Sequence, residues 1–339
     1  MSGDTVFPEW IEDGYEGIRS NLSPAGAKSV DRFRVQYGRL IQELQPLPAQ
    51  VEMYEIYQIT PKKLQGFFPD AFSALAHCCE YMVGYWFYRH VYKIKSYVDG
   101  LNYSLDSGNW LLACTCLRNI FEEVAHFDLY LSRIDRTASK ITQLEKNEAK
   151  RIRQGKRPPE KWIKDYIKCD LEIIQNLEKA IQGSDFDWRS WLQRCLVDTR
   201  AESVELEILK HSESRKTHIN DCIASMEKTH KKNFFPHYDL LSDMVHPNFG
   251  SNTLVIITRE KFTDMFGRVS MAGSIKNQEA ACWFFEIASD TMTEPLSIAS
   301  RNISIVKSLY GAFQSRAVRS SSAIGQLLTS PRSDSKRLN

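Results

Sequence analysis

Apolar residues recur every three or four positions over stretch after stretch of this 339-residue chain, and that spacing commits it to amphipathic helices. Strand-like alternation is almost absent. The 16 glycines and 12 prolines fall mostly between the periodic stretches, where they act as breaks. The predicted fold is all-α: a multi-helix bundle with long central antiparallel helices and at most one short extended segment. At this length a core needs no disulfide or metal to hold it.

Ser23 and Pro24 supply an N-cap and a first-turn proline for a helix over 24–44, closed by Pro46 and Pro48. A short helix is predicted over 51–58. The stretch 69–106 carries aromatic residues around its whole circumference, Trp86 and Tyr92 among them, so it should be buried on more than one side. Helix 110–134 starts after Ser107-Gly108-Asn109 and is equally apolar, which predicts an antiparallel pair. Two charged, one-faced helices, 136–154 and 158–182, flank RQGKRPP and read as a helical hairpin.

Beyond an aromatic turn come a helix over 199–231 and a short one over 236–245. The latter ends at His246, because Pro247 disfavours helix at the residue before it. TLVIIT at 253–258 is the extended segment, and a last helix over 278–317 is predicted to break or kink at Pro295. The chain thus divides into an N-terminal part (1–68) packing on the core, a main bundle (69–317) with the hairpin 135–182 inserted, and a disordered, basic, Ser-rich tail (318–339).

The net charge of +2 conceals an imbalance. Residues 140–168 hold ten Lys and Arg against four Asp and Glu, and the stretch from Arg316 onward five against one, so the remainder carries −8. A basic segment on an acidic body points to a local polyanion contact. Lys150, Arg151, Arg153, Lys156 and Arg157 are the candidate nucleic-acid-binding residues, a solvated helix face being the alternative.

Eight cysteines include no C-x-x-C pair, which excludes a zinc ribbon and a thioredoxin-type motif. In apolar helices they serve as small hydrophobes. An acidic start and the lack of any apolar run near 18 residues predict neither a signal peptide nor a membrane span, hence a cytoplasmic, reduced protein. The phosphate-binding glycine motifs and the kinase set are missing, so nucleotide hydrolysis and dinucleotide chemistry drop out.

Three constellations remain. Arg118 and Glu122 lie four apart on one face of a hydrophobic helix, with Glu123 beside them. Buried charge is costly unless paired, so either they satisfy each other or they face a polar pocket. Tyr238, Ser242 and His246 form a stripe on the short helix. A serine nucleophile would need a sharp strand-to-helix turn such as G-x-S-x-G, which is missing, so His246 is expected to be a buried, hydrogen-bonded helix-end histidine. His211, His218 and Cys222 have metal-ligand spacing on the 199–231 helix but lack H-E-x-x-H and an evident fourth ligand, so no metal and no cofactor is expected.

The pairing of L-R-x-x-x-E (Leu117, Arg118, Glu122) with Y-x-x-L-S-x-x-x-H-P (Tyr238, Leu241, Ser242, His246, Pro247) resembles a family of bacterial all-helical proteins similar to the HEPN-like bundles of toxin and phage-defence systems. The resemblance implies that Arg118, Glu122, Ser242 and His246 converge. It also implies metal-independent cleavage of RNA by an arginine and a histidine. The histidine nearest Arg118 in sequence, His126, lies eight residues on, about 80° around the helix, which departs from the family spacing. A binding or effector protein, a ribonuclease using His246 or His126, and a structural partner all stay open. RNA or a protein partner and a homodimer are the expected partners, and a membrane is not.

Overall fold

The computed structural model describes residues 15–46, 71–154, 159–182, 217–246, 261–263, 269–271 and 278–319. The described elements are α1 (Tyr15–Ser20), α2 (Pro24–Leu44), α3 (Ala71–Ser107), α4 (Trp110–Arg153), α5 (Glu160–Gln182), α6 (Ile219–His230), α7 (Phe235–Val245), β1 (Lys261–Thr263), β2 (Val269–Met271) and α8 (Gln278–Arg319). The protein is an all-α bundle. Among the described residues no helix is long and apolar enough to cross a membrane.

The structure departs from the sequence reading at several elements. Helices 110–134 and 136–154 are one 44-residue helix, α4, because nothing between Ile134 and Arg136 breaks the ladder. Pro295 stands inside α8, so of the predicted break or kink there is no break. The extended structure that is described is a hairpin, β1 antiparallel to β2 with Phe262 opposite Ser270, whereas 253–258 lies outside the described residues. The predicted helix 51–58, the tail from 320 and the 199–216 part of the 199–231 helix also lie outside them, and the described remainder of that last helix starts only at Ile219, Thr217 and His218 before it being non-helical.

The chain forms two compact units. The first draws its described residues from Met1–Pro48, Arg89–Leu129 and Ile219–Ser304. Ser23 Oγ accepts from Gly26 N at 3.1 Å to cap α2, as the sequence predicts. Phe33 and Phe285 meet edge to face at 6.5 Å, and Trp110 packs on Phe284 at 5.5 Å. The buried Tyr37 hydroxyl donates to Asn102 Oδ1 at 2.7 Å.

Gly108, at φ 68°, makes the turn between α3 and α4, a conformation that costs glycine little. Asn109 Oδ1 then accepts from Leu112 N to start α4. Past this turn the helices run antiparallel, Gly100 lying near Cys116, Lys93 beside Glu123 and His90 beside Phe127.

The second unit takes its described residues from Ala49–Tyr88, Tyr130–His218 and Ile305–Asn339. Here the later part of α4 pairs with α5, Trp162 Nε1 donating to Leu144 O at 2.8 Å and Thr137 Oγ1 to Glu172 Oε1 at 3.0 Å. That is the predicted helical hairpin. Its core holds a buried ion pair, Arg316 Nη2 to Asp170 Oδ2 at 2.5 Å, with Arg316 Nε donating to the Tyr166 hydroxyl at 2.7 Å.

Candidate functional site

In the first unit α7 and its C-cap bring two polar side chains, Tyr238 and His246, onto Arg118 of α4, where Glu122 already lies one turn along the same helix. Phe121 holds the approach, packing on Phe234 at 6.2 Å and on Tyr238 at 5.9 Å. Arg118 Nε donates to Glu122 Oε1 at 3.0 Å, and Arg118 Nη2 donates to the Tyr238 hydroxyl at 3.2 Å. That hydroxyl in turn donates to the same Glu122 oxygen at 2.9 Å. The three groups form a closed triangle.

His246 completes the cluster from the end of α7, its Nε2 3.5 Å from Arg118 Nη1. Its own N–H caps the helix by donating to Ser242 O at 3.0 Å, and its backbone is extended, as a residue before proline requires. His246 is exposed, not buried as its helix-end position suggested. The reason is direction: Leu241 and Met244 fill the core side of α7 and turn its last residue outward. Partial burial pulls the Arg118 guanidinium down, but the Tyr238 hydrogen bond and the Glu122 charge more than reverse this and leave its pKa raised.

The structure therefore brings Arg118, Glu122, Tyr238 and His246 together. Ser242 shares their stripe, yet its Oγ is buried without a hydrogen-bond partner among the described residues. It takes no part in the network.

His126 belongs to a different cluster. Its ring lies 5.2 Å from that of His90 on α3, and His90 Nδ1 contacts Glu123 Oε1 while Lys93 Nζ donates to Glu123 Oε2 at 3.3 Å. Burial raises the Glu123 carboxyl, but His90 and Lys93 outweigh it and hold it at about 2. Burial, reinforced by the His90 charge, pushes His126 down to about 3. A histidine so depressed is neutral near pH 7 and poorly matched to general acid work there.

The metal reading of the sequence rests on His211, His218 and Cys222 and passes over the helix-borne E-x-x-H spacing of Glu123-Val124-Ala125-His126. Among the described residues no group of three or more His, Cys, Asp or Glu is arranged to hold a metal ion. His218 is exposed just before α6 while Cys222 is buried in its core face, and His211 lies outside the described residues.

Of the hairpin residues, Lys150 is exposed and Arg151 is half exposed, with Nε 3.5 Å from Glu148 Oε2. Arg153 closes α4, while Lys156 and Arg157 lie outside the described residues.

Sequence reasoning missed a second histidine cluster, Asp128 with His230, Asn302 and Arg301. Its usable signal was Asp128, a carboxylate on the same α4 face as Phe121 and ten residues from Arg118. No family model, curated protein or solved structure matches the chain.

Proposed function

We propose that this chain is a helical binding or effector protein of a bacterial toxin or phage-defence system, acting in the cytoplasm on RNA through Arg118 and His246. The observation that carries this is the 3.5 Å approach of an exposed imidazole to a half-buried guanidinium. Arg118 directs Nε and one Nη2 proton at Glu122 and Tyr238 and turns Nη1 toward His246, so among the described residues one proton on each of Nη1 and Nη2 remains for a ligand. That edge is planar and suits the two oxygens of a phosphodiester. The basic residues Lys150, Arg151, Arg153, Lys156 and Arg157 are a separate, independent candidate for phosphate contacts.

The same pair favours one catalytic reading, a metal-independent ribonuclease. His246 would take the 2′-hydroxyl proton as that oxygen bonds to phosphorus and the P–O5′ bond breaks, the 5′-oxygen leaving with a proton from water and a 2′,3′-cyclic phosphate remaining, while Arg118 stabilises charge on the phosphorus centre. Glu122 opposes it by neutralising Arg118, which is why binding is the first reading and cleavage the second. A purely structural partner role is the third.

Anisotropy with a labelled single-stranded RNA at low salt tests all three. Binding that weakens at least tenfold in Arg118→Ala supports the proposal, and wild-type protein that binds no RNA overturns it. Cleavage of that RNA, lost in His246→Ala while binding persists, would promote the ribonuclease reading.

A further inference from the structure

We propose that Asp128, His230 and Arg301 form a second, separate site in the first unit, one that takes a phosphate-type oxyanion between the Arg301 guanidinium and the outer nitrogen of His230. Asp128 is 4% exposed on α4, and its Oδ1 accepts from Asn302 Nδ2 of α8 at 2.9 Å. His230 Nε2, at the end of α6, lies 3.1 Å from both Asp128 oxygens. A carboxylate only accepts, so Nε2 carries the ring proton and neutral His230 has its lone pair on Nδ1. This is an imidazole whose tautomer and ring angle are set by a buried acid, as in acid–base dyads. Phe234 adds an edge contact at 6.5 Å.

Arg301 does not use that lone pair. Its Nη2 is 3.2 Å from Nδ1 and 3.4 Å from Nε2. A donor in line with the Nδ1 lone pair would stand much farther from Nε2, on the other side of the ring. Near-equal distances place the guanidinium against the ring face. Arg301 is exposed and makes no ion pair among the described residues, unlike Arg118 with its Glu122.

Lys231, exposed and turned by a positive φ of 53°, follows His230 directly and adds positive charge, while neighbouring Lys232 is balanced by Glu294 at 3.3 Å. A guanidinium, a lysine and an imidazole that can donate once protonated fit an oxyanion that itself takes up a proton near neutral pH. A phosphate monoester or free phosphate does so, and a carboxylate does not.

The experiment follows imidazole nitrogens of the 15N-labelled full chain by long-range proton–nitrogen correlation. The free protein should report His230 as the Nε2-protonated tautomer. Adding inorganic phosphate should then shift the His230 nitrogens saturably, with acetate at equal ionic strength doing nothing. A nucleoside monophosphate acting at a tenth of the phosphate concentration would assign the natural source to a nucleotide, and equal potency to free phosphate. Arg301→Ala, an exposed position, should keep the melting temperature and weaken the phosphate response at least tenfold. The Nδ1 tautomer, a His230 signal unmoved by phosphate, or an undiminished response in Arg301→Ala overturns the proposal. Movement of His246 alone would overturn it too, and would leave the Arg118 reading standing.

Discussion

Arg118 and His246, 128 positions apart in sequence, meet nitrogen to nitrogen at 3.5 Å. The contact is long for a hydrogen bond, and His246 is exposed, so it adds little to stability. His246→Ala should change the unfolding free energy by within about 0.5 kcal/mol. Glu122→Gln should cost more, about 1 kcal/mol, because it removes the counter-charge of a half-buried guanidinium that Glu122 and Tyr238 hold in place. Urea denaturation of both variants checks the order, and a larger loss in His246→Ala would contradict it.

Acid should destabilise the protein through the His90, Glu123 and His126 cluster. Both depressed groups act in the same direction: the unfolded chain binds protons that the folded one refuses, so stability falls as pH falls. For His126 the window runs from 6.5 down to about 3, and for Glu123 from 4.5 down to about 2. Each unit of depression is worth about 1.4 kcal/mol, so the cost by pH 3 reaches a few kcal/mol. Urea midpoints between pH 7 and 3 should decline slowly at first and steeply below 4.5. His126→Phe should flatten the upper part, Glu123→Gln the lower.

The sequence could be read for helices because periodicity and end signals are local, Ser23 at α2 and Gly108 after α3 being examples. It also put Arg118 and Glu122 on one helix face, since a spacing of four is a local fact. It was blind where geometry is decided by tertiary contact. That Tyr238 would close a triangle with them, that His246 would face outward, and that Asp128 would collect partners from α6 and α8 depends on how α6 and α7 lie on α4. No periodicity encodes that. At Pro295 the predicted break does not occur, α8 running on through a residue that is a strong local breaker.

Ser242 offers a clean test against nucleophilic chemistry. Its Oγ is buried without a hydrogen-bond partner among the described residues, so deleting the hydroxyl removes a desolvated group and none of the described hydrogen bonds. Ser242→Ala should leave stability unchanged or raise it by about 0.5 kcal/mol, with RNA binding intact. Loss of function in a fully folded variant would restore the serine to the site.

The basic hairpin predicts a salt dependence. If Lys150, Arg151, Arg153, Lys156 and Arg157 neutralise phosphates, log affinity for single-stranded RNA should fall with log salt at a slope of roughly −0.7 per contact. Replacing Lys150 and Arg151 by Ala should flatten that slope by roughly one unit or more. An unchanged slope would return the hairpin to a solvated helix face.

The buried Arg316–Asp170 pair of the second unit sets the last prediction. Asp170 is 0% exposed, and burial raises its carboxyl although Arg316 pulls the other way. Arg316→Met should therefore strand an uncompensated carboxylate beside the Cys79 thiol and cost about 3–5 kcal/mol near pH 7. A carboxyl whose folded pKa is raised is most easily tolerated when protonated, so the deficit relative to wild type should shrink as pH is lowered from 8 to 5. Adding Asp170→Leu removes the stranded charge and should recover much of the loss, a coupling that a double-mutant cycle in urea measures. Additive losses, or a deficit independent of pH, would mean that the pair does not hold this unit together by its charges.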